Sequence, residues 1–417
     1  MSAISFIVPT FNRAHFLGEA LAAISRQMRD GDELLVVDDG STDATADVAA
    51  AAGPQVRYIR QPNSGKAVAL NRALAVTSAP LVWICDDDDV LRDGAVDSLR
   101  AVMADPRIGF AFGRYTRFRE GPDGARKDMG TGYWPDLSEG SLARHILDDA
   151  FVMQNAALVR RSAYEAVGPF SEAMPRSLDY EMFVRLAVSQ PCTYVDRLMF
   201  DQRKHEGARG PASMLHAAAR SDDVWQRYDR LIFENLHRHA PLAFFESFFD
   251  GGTIPQRRRA ALLCRASIMM RHGCWGEALS DLEDAAAEPA AGLDGGQIAI
   301  CRRAFAGKHG FAGLLADGDA MDRLAGLARR SGGRVILRAM LDGTLWRLRG
   351  DEADRRQTLA LLRRALGWGG AMAMFVARLN RARSATAIME RSEPQGDGWL
   401  TPGRLPPVGS AESTRAA

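Results

Sequence analysis

Four consecutive aspartates, Asp86 to Asp89, directly follow the apolar run Leu81-Val82-Trp83-Ile84-Cys85. Adjacent carboxylates repel one another, so such a cluster is costly unless a cation or hydrogen-bond donors compensate it. Carboxylate oxygens are ligands that Mg²⁺ and Mn²⁺ prefer, and either ion can bridge a diphosphate. The quartet therefore predicts a divalent-metal site, and a solvated acidic turn that caps the next helix is the alternative.

A second acidic turn contains Asp38 and Asp39, again directly after an apolar run. Gly40 relaxes the turn, and Ser41 or Thr42 can cap a following helix. Capping does not explain the two acids before the helix. A carboxylate at this point can accept hydrogen bonds from a base or from ribose hydroxyls.

Strands and helices alternate in the first third of the chain and must position these acids. Short β-branched runs at 4–8, 33–37, 56–59 and 81–85 predict strands, and residues 14–28, 42–51 and 65–76 have helical spacing. This alternation is typical of a mostly parallel sheet. Ligands of such sheets bind beyond the carboxyl ends of the strands, where both acidic turns fall.

The order of four motifs carries a family resemblance. The motifs are Val8-Pro9-Thr10-Phe11-Asn12-Arg13, the Asp38-Asp39-Gly40-Ser41-Thr42-Asp43 turn, Asn63-Ser64-Gly65-Lys66 with Leu70-Asn71-Arg72-Ala73, and the aspartate quartet. Together they resemble the nucleotide-sugar-binding half of glycosyltransferase family 2, the inverting GT-A type, over about residues 3–210. The resemblance implies an α/β fold, a Rossmann-like GT-A domain with a mostly parallel sheet.

The resemblance also implies roles for individual residues. The nucleotide-sugar contacts would be Pro9, Thr10, Asn12, Arg13, Asp38, Asp39, Lys66, Asp86 and Asp87. Asp39 resembles the residue that recognises the base, and Asp86 and Asp88 resemble the outer acids of a DxD motif. Asp88 is then the expected ligand of Mn²⁺ or Mg²⁺, and His205 resembles a histidine that completes the metal or diphosphate site. Lys66 could equally be a solvated residue at a helix start.

A catalytic base is expected in the segment Ser177-Leu178-Asp179-Tyr180-Glu181, which is similar to the family's acceptor-side segment. A carboxylate that takes the proton of an acceptor hydroxyl contributes about 10²- to 10⁴-fold to the rate. Asp179 is the predicted base and Glu181 is the runner-up. A helix cap at Asp179, with Glu181 and Arg185 as an i, i+4 pair, is the alternative. The basic residues Arg203, Lys204 and Arg209 could face a leaving diphosphate or be solvated.

The second half of the chain changes character, becoming rich in Ala, Leu and Arg at helical spacing. We expect a GT-A domain over 1–215, a mainly α-helical domain over 216–385 that binds an acceptor or a protein, and a disordered tail over 386–417.

Composition excludes some classes of function. Among 417 residues, 53 basic and 52 acidic side chains give a net charge of +1, so no global field attracts nucleic acid. No apolar run is long enough to predict a membrane span, and peripheral membrane association stays open. The five cysteines lack zinc spacing and indicate a reduced, cytoplasmic protein without an export leader.

The leading hypothesis is an inverting glycosyltransferase that uses a nucleotide-diphosphate sugar, by family resemblance a UDP-sugar. The acceptor would be a glycan such as a cell-surface polysaccharide precursor, a peptide or a small molecule. A non-catalytic nucleotide-sugar-binding interaction protein and a nucleotidyltransferase are the alternatives. A nucleotidyltransferase would be expected to have a glycine- and Arg/Lys-rich loop after the first strand, but this chain has Pro9 to Arg13 at that point.

Overall fold

The computed structural model describes residues 2–205, 221–289, 292–379, 386–395, 398–401 and 403–411. The chain forms two compact units. The first comprises Met1–Asp136, Ala150–Ser221 and Thr401–Ala417, and the second comprises Leu137–Asp149 and Asp222–Leu400. The predicted boundary lies at 215/216, whereas the chain passes from the first unit to the second at 221/222. In addition, Leu137–Asp149 belongs to the second unit and Thr401–Ala417 belongs to the first.

One large sheet forms the core of the first unit. Its strands are β1 (Ile4–Thr10), β2 (Glu33–Asp38), β3 (Val56–Arg60), β4 (Leu81–Ile84), β5 (Val90–Leu91), β6 (Phe110–Glu120), β7 (Arg126–Thr131), β8 (Ala157–Arg160) and β9 (Cys192–Arg203). The order is β3-β2-β1-β4-β8-β6-β9-β5, with β7 on β6. The neighbouring strands among β1 to β4 pair parallel, and β6 pairs parallel with β9. The other pairs are antiparallel: β8 with β4 and β6, β7 with β6, and β5 with β9.

Burial explains why the first strands read as continuous apolar runs. All seven residues of β1 are buried, and so are all four of β4. A parallel strand covered by helices on both faces needs apolar side chains on both faces. The predicted fold class is confirmed in this half, and the four predicted strands all form.

The helices of the first half lie between these strands. They are α1 (Ala14–Ser25), α2 (Thr45–Ala51), α3 (Lys66–Val76), α4 (Ala95–Val102), α5 (Leu142–Asp148, in the second unit), α6 (Arg161–Val167) and α7 (Leu178–Ser189). Helix α2 begins at Thr45 rather than at the predicted Thr42. The reason is that Asp43 Oδ1 accepts the Thr45 N–H at 3.0 Å, which keeps the preceding residues in a turn.

The second unit is mainly helical, as predicted. Its further elements are α8 (Ser221–His239), α9 (Leu242–Glu246), β10 (Phe249–Gly251), α10 (Ile254–Arg271), α11 (Trp275–Ala287), α12 (Gly295–Arg303), α13 (Ala312–Ala316), α14 (Gly318–Leu327), α15 (Ser331–Asp342), α16 (Glu352–Leu379) and β11 (Ile388–Glu390). Strands β10 and β11 pair antiparallel. Helix α16 is broken at Gly367, whose φ of 66° no other residue type adopts readily.

The prediction of a disordered tail over 386–417 is wrong for part of that range. Strand β11 pairs with β10, and Val408 donates its N–H to Glu181 Oε1 at 3.2 Å and accepts the Ser171 hydroxyl at 2.5 Å. The Pro/Gly/Ser composition suggested disorder, but backbone hydrogen bonds to the rest of the chain order these residues. Residues 396–397, 402 and 412–417 lie outside the described part.

None of the helices, as far as the chain is described, is both long enough and apolar enough to cross a bilayer.

Candidate functional site

Parallel strands bring the predicted site residues to one edge of the sheet. Thr10, the last residue of β1, is in register with Asp38, the last residue of β2, and β4 ends beside β1 immediately before the aspartate quartet. Pro9 and Thr10 themselves are buried within β1. They lie directly before the loop that follows β1, and the Thr10 side chain opposes the rise in the pKa of Asp87.

The loop after β1 is fastened to the turn after β2 through Asn12. Its N–H donates to Ser41 Oγ at 2.9 Å, and its Oδ1 accepts the Thr42 N–H at 2.8 Å. Asn12 has a φ of 53°, a left-handed conformation that asparagine tolerates better than most residues. This geometry directs the next residue, Arg13, toward the quartet.

Asp38 and Asp39 order the acidic turn after β2. Asp38 is 1% exposed, accepts the Ser41 N–H at 2.8 Å and also accepts the Tyr58 hydroxyl. Burial and this bond to Asp38 raise the pKa of Tyr58, so its hydroxyl stays a donor.

Asp39 accepts hydrogen bonds on both of its oxygens. Oδ1 accepts from the Gln61 amide and the Ser64 N–H at 2.8 and 2.9 Å, and Oδ2 accepts from the Gly65 N–H at 2.8 Å. Asp39 thus shapes the loop before α3. Because both oxygens of Asp39 already accept hydrogen bonds, Asp39 can bind a base only through its remaining lone pairs. Asp38 is enclosed by protein on all sides.

The four aspartates of the quartet have different partners. Asp86 accepts from Lys66 Nζ at 2.6 Å, Asp87 from Arg13 Nη1 at 3.1 Å, and Asp88 from both Arg13 and His205, with His205 Nε2 at 3.0 Å. Asp89 turns inward and accepts the Arg203 N–H at 2.9 Å and the Asn155 amide at 3.2 Å. Asp89 is therefore a structural residue that anchors the turn to β9.

The pKa values of the quartet follow from this arrangement. Burial raises the pKa of Asp87 to about 6, against the opposing charge of Arg13. Burial also acts on Asp88, but His205 and Arg13 outweigh it and lower the pKa of Asp88 to about 2. Burial and the charges of Asp88 and Asp86 raise the pKa of Asp89. Of the two middle aspartates, Asp87 and Asp88, it is thus Asp88 whose surroundings favour the ionised carboxylate.

Lys66 connects the quartet with the predicted base. It is the first residue of α3, and the neighbouring charges of Asp86, Asp179 and Asp88 raise the pKa of its ammonium although burial opposes them. Asp179 lies in the first turn of α7 and is half-buried. Burial raises the pKa of Asp179, and Lys66 partly offsets that effect.

Glu181 is in a different environment from Asp179. It is 1% exposed and forms a two-pronged ion pair with Arg185, with distances of 2.9 and 2.7 Å. It also accepts the Val408 N–H. A carboxylate held in this way stabilises the helix and has no free oxygen for an acceptor, so the geometry does not favour the runner-up base.

Two features of the site were not predicted from the sequence. Ser177, directly before α7, has a φ of 54°. Ser177 and Asn12 are the two non-glycine residues with positive φ in the described part of the chain. Such backbone strain is concentrated at functional sites in proteins. No pattern of residue types reveals it at Ser177. The second feature is the pairing of Arg13 with the quartet, which only the loop geometry establishes.

Arg203 has a structural role rather than the suggested one at a leaving group. It is 4% exposed, bonds to Glu19 and Glu120, and lies 4.8 Å from the ring centres of Phe16 and Phe118. Arg209 lies outside the described residues.

In the described part of the chain, no group of three or more His, Cys, Asp or Glu side chains is arranged to hold a metal. Asp88 and His205 nevertheless converge on each other at 3.0 Å, with one carboxylate and one imidazole. Mg²⁺ and similar ions in nucleotide sites are commonly held by one or two protein ligands plus phosphate oxygens and water. The pair fits that kind of site.

A wide, mostly parallel sheet with an acidic cluster at its carboxyl edge is an α/β fold of the kind that binds ligands at that edge. Residues 5–168 match the model of glycosyl transferase family 2. This part of the chain matches the family that the motifs predict, and the sheet that contains it is the mostly parallel α/β sheet that the resemblance implies.

Named relatives are similar to part of this chain. A chondroitin synthase of Pasteurella multocida (strain Pm70) is 25% identical over 207 residues, which is 48% of this chain and 20% of the relative. An N-acetylglucosaminyltransferase of Rhizobium meliloti (strain 1021) is 32% identical over 151 residues, covering 34% of this chain and 35% of the relative. The chain thus spans about a fifth to a third of the length of these relatives.

Among solved structures, residues 1–349 of S. aureus TarS in complex with UDP-GlcNAc align with 82% of this chain and 90% of that chain, at 15% identity and a TM-score of 0.49.

Proposed function

We propose that the chain is a metal-dependent, inverting glycosyltransferase that moves a sugar from a UDP-sugar to a hydroxyl of a glycan, peptide or small-molecule acceptor. The observation that carries the proposal is the ammonium of Lys66, which bonds to Asp86 at 2.6 Å and whose charge opposes the rise that burial causes in the pKa of Asp179. Asp86 would lie on the donor side and Asp179 on the acceptor side, and the charges of both raise the pKa of the Lys66 ammonium. The family 2 domain and the names of the relatives support the class of reaction.

On the donor side, Asp86 or Asp87 would accept hydrogen bonds from the ribose, and Arg13 would face the diphosphate. Asp88 and His205 would hold Mn²⁺ or Mg²⁺, which when bound neutralises diphosphate charge. Arg13 and Lys66 add fixed positive charge, which stabilises the diphosphate as it leaves. Asp39 would orient the base through the loop that it shapes.

On the acceptor side, Asp179 would accept the proton of the attacking hydroxyl. The oxygen forms its bond to the anomeric carbon while the bond from that carbon to the diphosphate breaks, so a single displacement inverts the configuration. Burial favours this role, because a raised pKa makes Asp179 a stronger base than an exposed aspartate.

The proposed location of the protein is the cytoplasm. All five cysteines are buried free thiols, which fits a reducing cytoplasm.

The experiment is a transfer assay with UDP-, GDP- and dTDP-sugars and a panel of acceptors, with Mn²⁺ or with chelator. Asp179→Asn should lower kcat by about 10²- to 10⁴-fold. Its donor affinity should change only a few-fold, because the amide keeps the shape of the side chain. Asp93→Asn, at an acid whose side chain is 85% exposed, is the matched control and should keep full activity.

Other outcomes would contradict the proposal in distinct ways. Full activity of Asp179→Asn would exclude this residue as the base. Metal-dependent binding of a donor without transfer to any acceptor would favour an interaction protein. Release of pyrophosphate would favour a nucleotidyltransferase.

A further inference from the structure

The segment of α16 after Gly367 presents apolar side chains to solvent. Trp368, Met372 and Val376 are 63%, 62% and 54% exposed. Residues four apart lie above one another on a helix, so these three form one stripe. On the other side of the helix, Ala371 and Met374 are 4% and 2% exposed and pack into the second unit. The segment is thus attached by one side and apolar on the other.

Arginines flank this stripe in the sequence. Residues 365–377 contain no charged side chain, and Arg363 and Arg364 precede them while Arg378 follows. From Arg355 to Arg383 the sequence has seven arginines and no lysine, aspartate or glutamate. The four arginines of the first segment, Arg355, Arg356, Arg363 and Arg364, are exposed, and Leu359 between them is 42% exposed. Arg356 pairs with Glu352 just before this stretch, and the other three exposed arginines form a local concentration of positive charge in a chain of net charge +1.

We propose that the stripe of Trp368, Met372 and Val376, together with the exposed Leu359 and Arg363 before the break at Gly367, docks as a basic apolar face on an anionic lipid membrane surface. A helix that lies in the interface inserts an apolar stripe among the headgroups and directs basic side chains to anionic lipids. Tryptophan is preferred at headgroup level. The segment after Gly367 is roughly 18 Å long at 1.5 Å per residue, which suits a helix lying in the plane of the membrane.

Charge argues against a second copy of the chain as the occupant. A two-fold symmetric dimer through this face would place the same patch on both sides of the interface. Arginines would then face arginines with no acid between them in this stretch, and like charges across an interface are strongly unfavourable. An anionic lipid surface is complementary to both the charge and the apolar stripe.

Co-sedimentation of the full chain with vesicles tests the proposal. One set of vesicles is phosphatidylcholine alone, and the other contains one part phosphatidylglycerol to two parts phosphatidylcholine. The wild type should sediment with the anionic vesicles at low salt, less at high salt, and not with the neutral ones. Trp368→Ser should weaken binding about tenfold, the order expected for withdrawing a large apolar side chain from a lipid interface. Arg363→Glu should weaken it at least about fivefold, since each basic residue near the surface contributes that order.

Two matched controls separate this face from generic exposure. Trp346→Ser removes a tryptophan that is 59% exposed elsewhere in the same unit, and Arg330→Glu reverses an exposed arginine directly before α15. Both should bind vesicles like the wild type. If Trp368→Ser loses thermal stability, Met372→Ser combined with Val376→Ser replaces it as the test.

The proposal is overturned if the wild type does not bind anionic vesicles, or if all variants bind them equally. It is also overturned if the protein forms a dimer that Trp368→Ser dissociates while vesicles fail to bind.

Discussion

Two clusters of charged side chains, one in each unit, differ in how their charge is balanced. In the second unit three arginines face three acids in a buried network: Arg144, Arg271 and Arg303 with Asp148, Asp149 and Glu390. In the candidate site the acids outnumber the cations. Asp86, Asp87, Asp88 and Asp179 share Arg13 and Lys66, with His205 beside Asp88.

The pKa values report this difference. In the network, Arg303, Arg271 and Arg144 outweigh burial and lower the pKa of Asp148, and the pKa of Glu390 is lowered by Arg303 and Arg144. In the site, burial raises the pKa values of Asp87 and Asp179 because the cations present do not compensate for it. In the network, the positive and negative charges are equal in number, as expected of a network that only stabilises the fold. The site instead keeps an excess of negative charge that a bound cation would neutralise.

The largest expected effect on stability comes from breaking the closed network. Arg303→Met leaves Asp148 and Glu390 buried with one cation fewer, and removing one partner of a buried pair costs about 3–5 kcal/mol. Urea unfolding of the full chain measures the loss. Arg330→Met, at an exposed arginine, should change the free energy of unfolding by less than about 0.5 kcal/mol. Equal losses in both variants would mean that the network is not the source of stability.

Removing an acid from the site should have a much smaller effect on stability. Asp88→Asn relieves repulsion from Asp86 and Asp87 while it loses the bonds to Arg13 and His205. The free energy of unfolding should therefore stay within about 1 kcal/mol of the wild type. The same variant should lose metal-dependent donor binding. A destabilisation as large as that of Arg303→Met would show that the quartet is a structural network too.

The smallest expected effect is a shift in pH dependence. Asp179 must be deprotonated to act as a base, so transfer should rise with pH through a value above the ordinary pKa of an aspartate. Lys66→Met removes the cation that faces Asp179, leaves Asp86 there, and so raises the pKa of Asp179 further. The acid limb of kcat/KM should move to higher pH. Lys127→Met, at an exposed residue of β7, should leave the limb in place. An unmoved limb in Lys66→Met would mean that another group titrates.

The sequence predicts the scaffold of the site well, because its signals are local. Strands such as β1 and β4 are apolar on both faces, and the acids that follow them mark the carboxyl edge of the sheet. Sequence spacing also predicts the Glu181–Arg185 pair, since i, i+4 residues are neighbours on a helix.

What the sequence does not predict depends on distant residues or on backbone conformation. Four identical aspartates give no register, and only the contacts of Asp89 with Asn155 and β9 separate it from Asp88. The network of the second unit joins Arg144 to Glu390, which lie 246 residues apart. The order of the tail at Val408 likewise depends on Glu181 and Ser171, which no local pattern connects to it.

The central claim is that the acidic excess at the strand ends is a site for a cation and a nucleotide diphosphate. Calorimetric titration of UDP into the wild type and into Asp88→Asn, each with Mn²⁺ and with chelator, tests it most directly. The account predicts that the wild type binds UDP with Mn²⁺ and much more weakly with chelator, and that Asp88→Asn loses this difference. Equal binding by the wild type in both conditions, or an unchanged manganese dependence in Asp88→Asn, would contradict it.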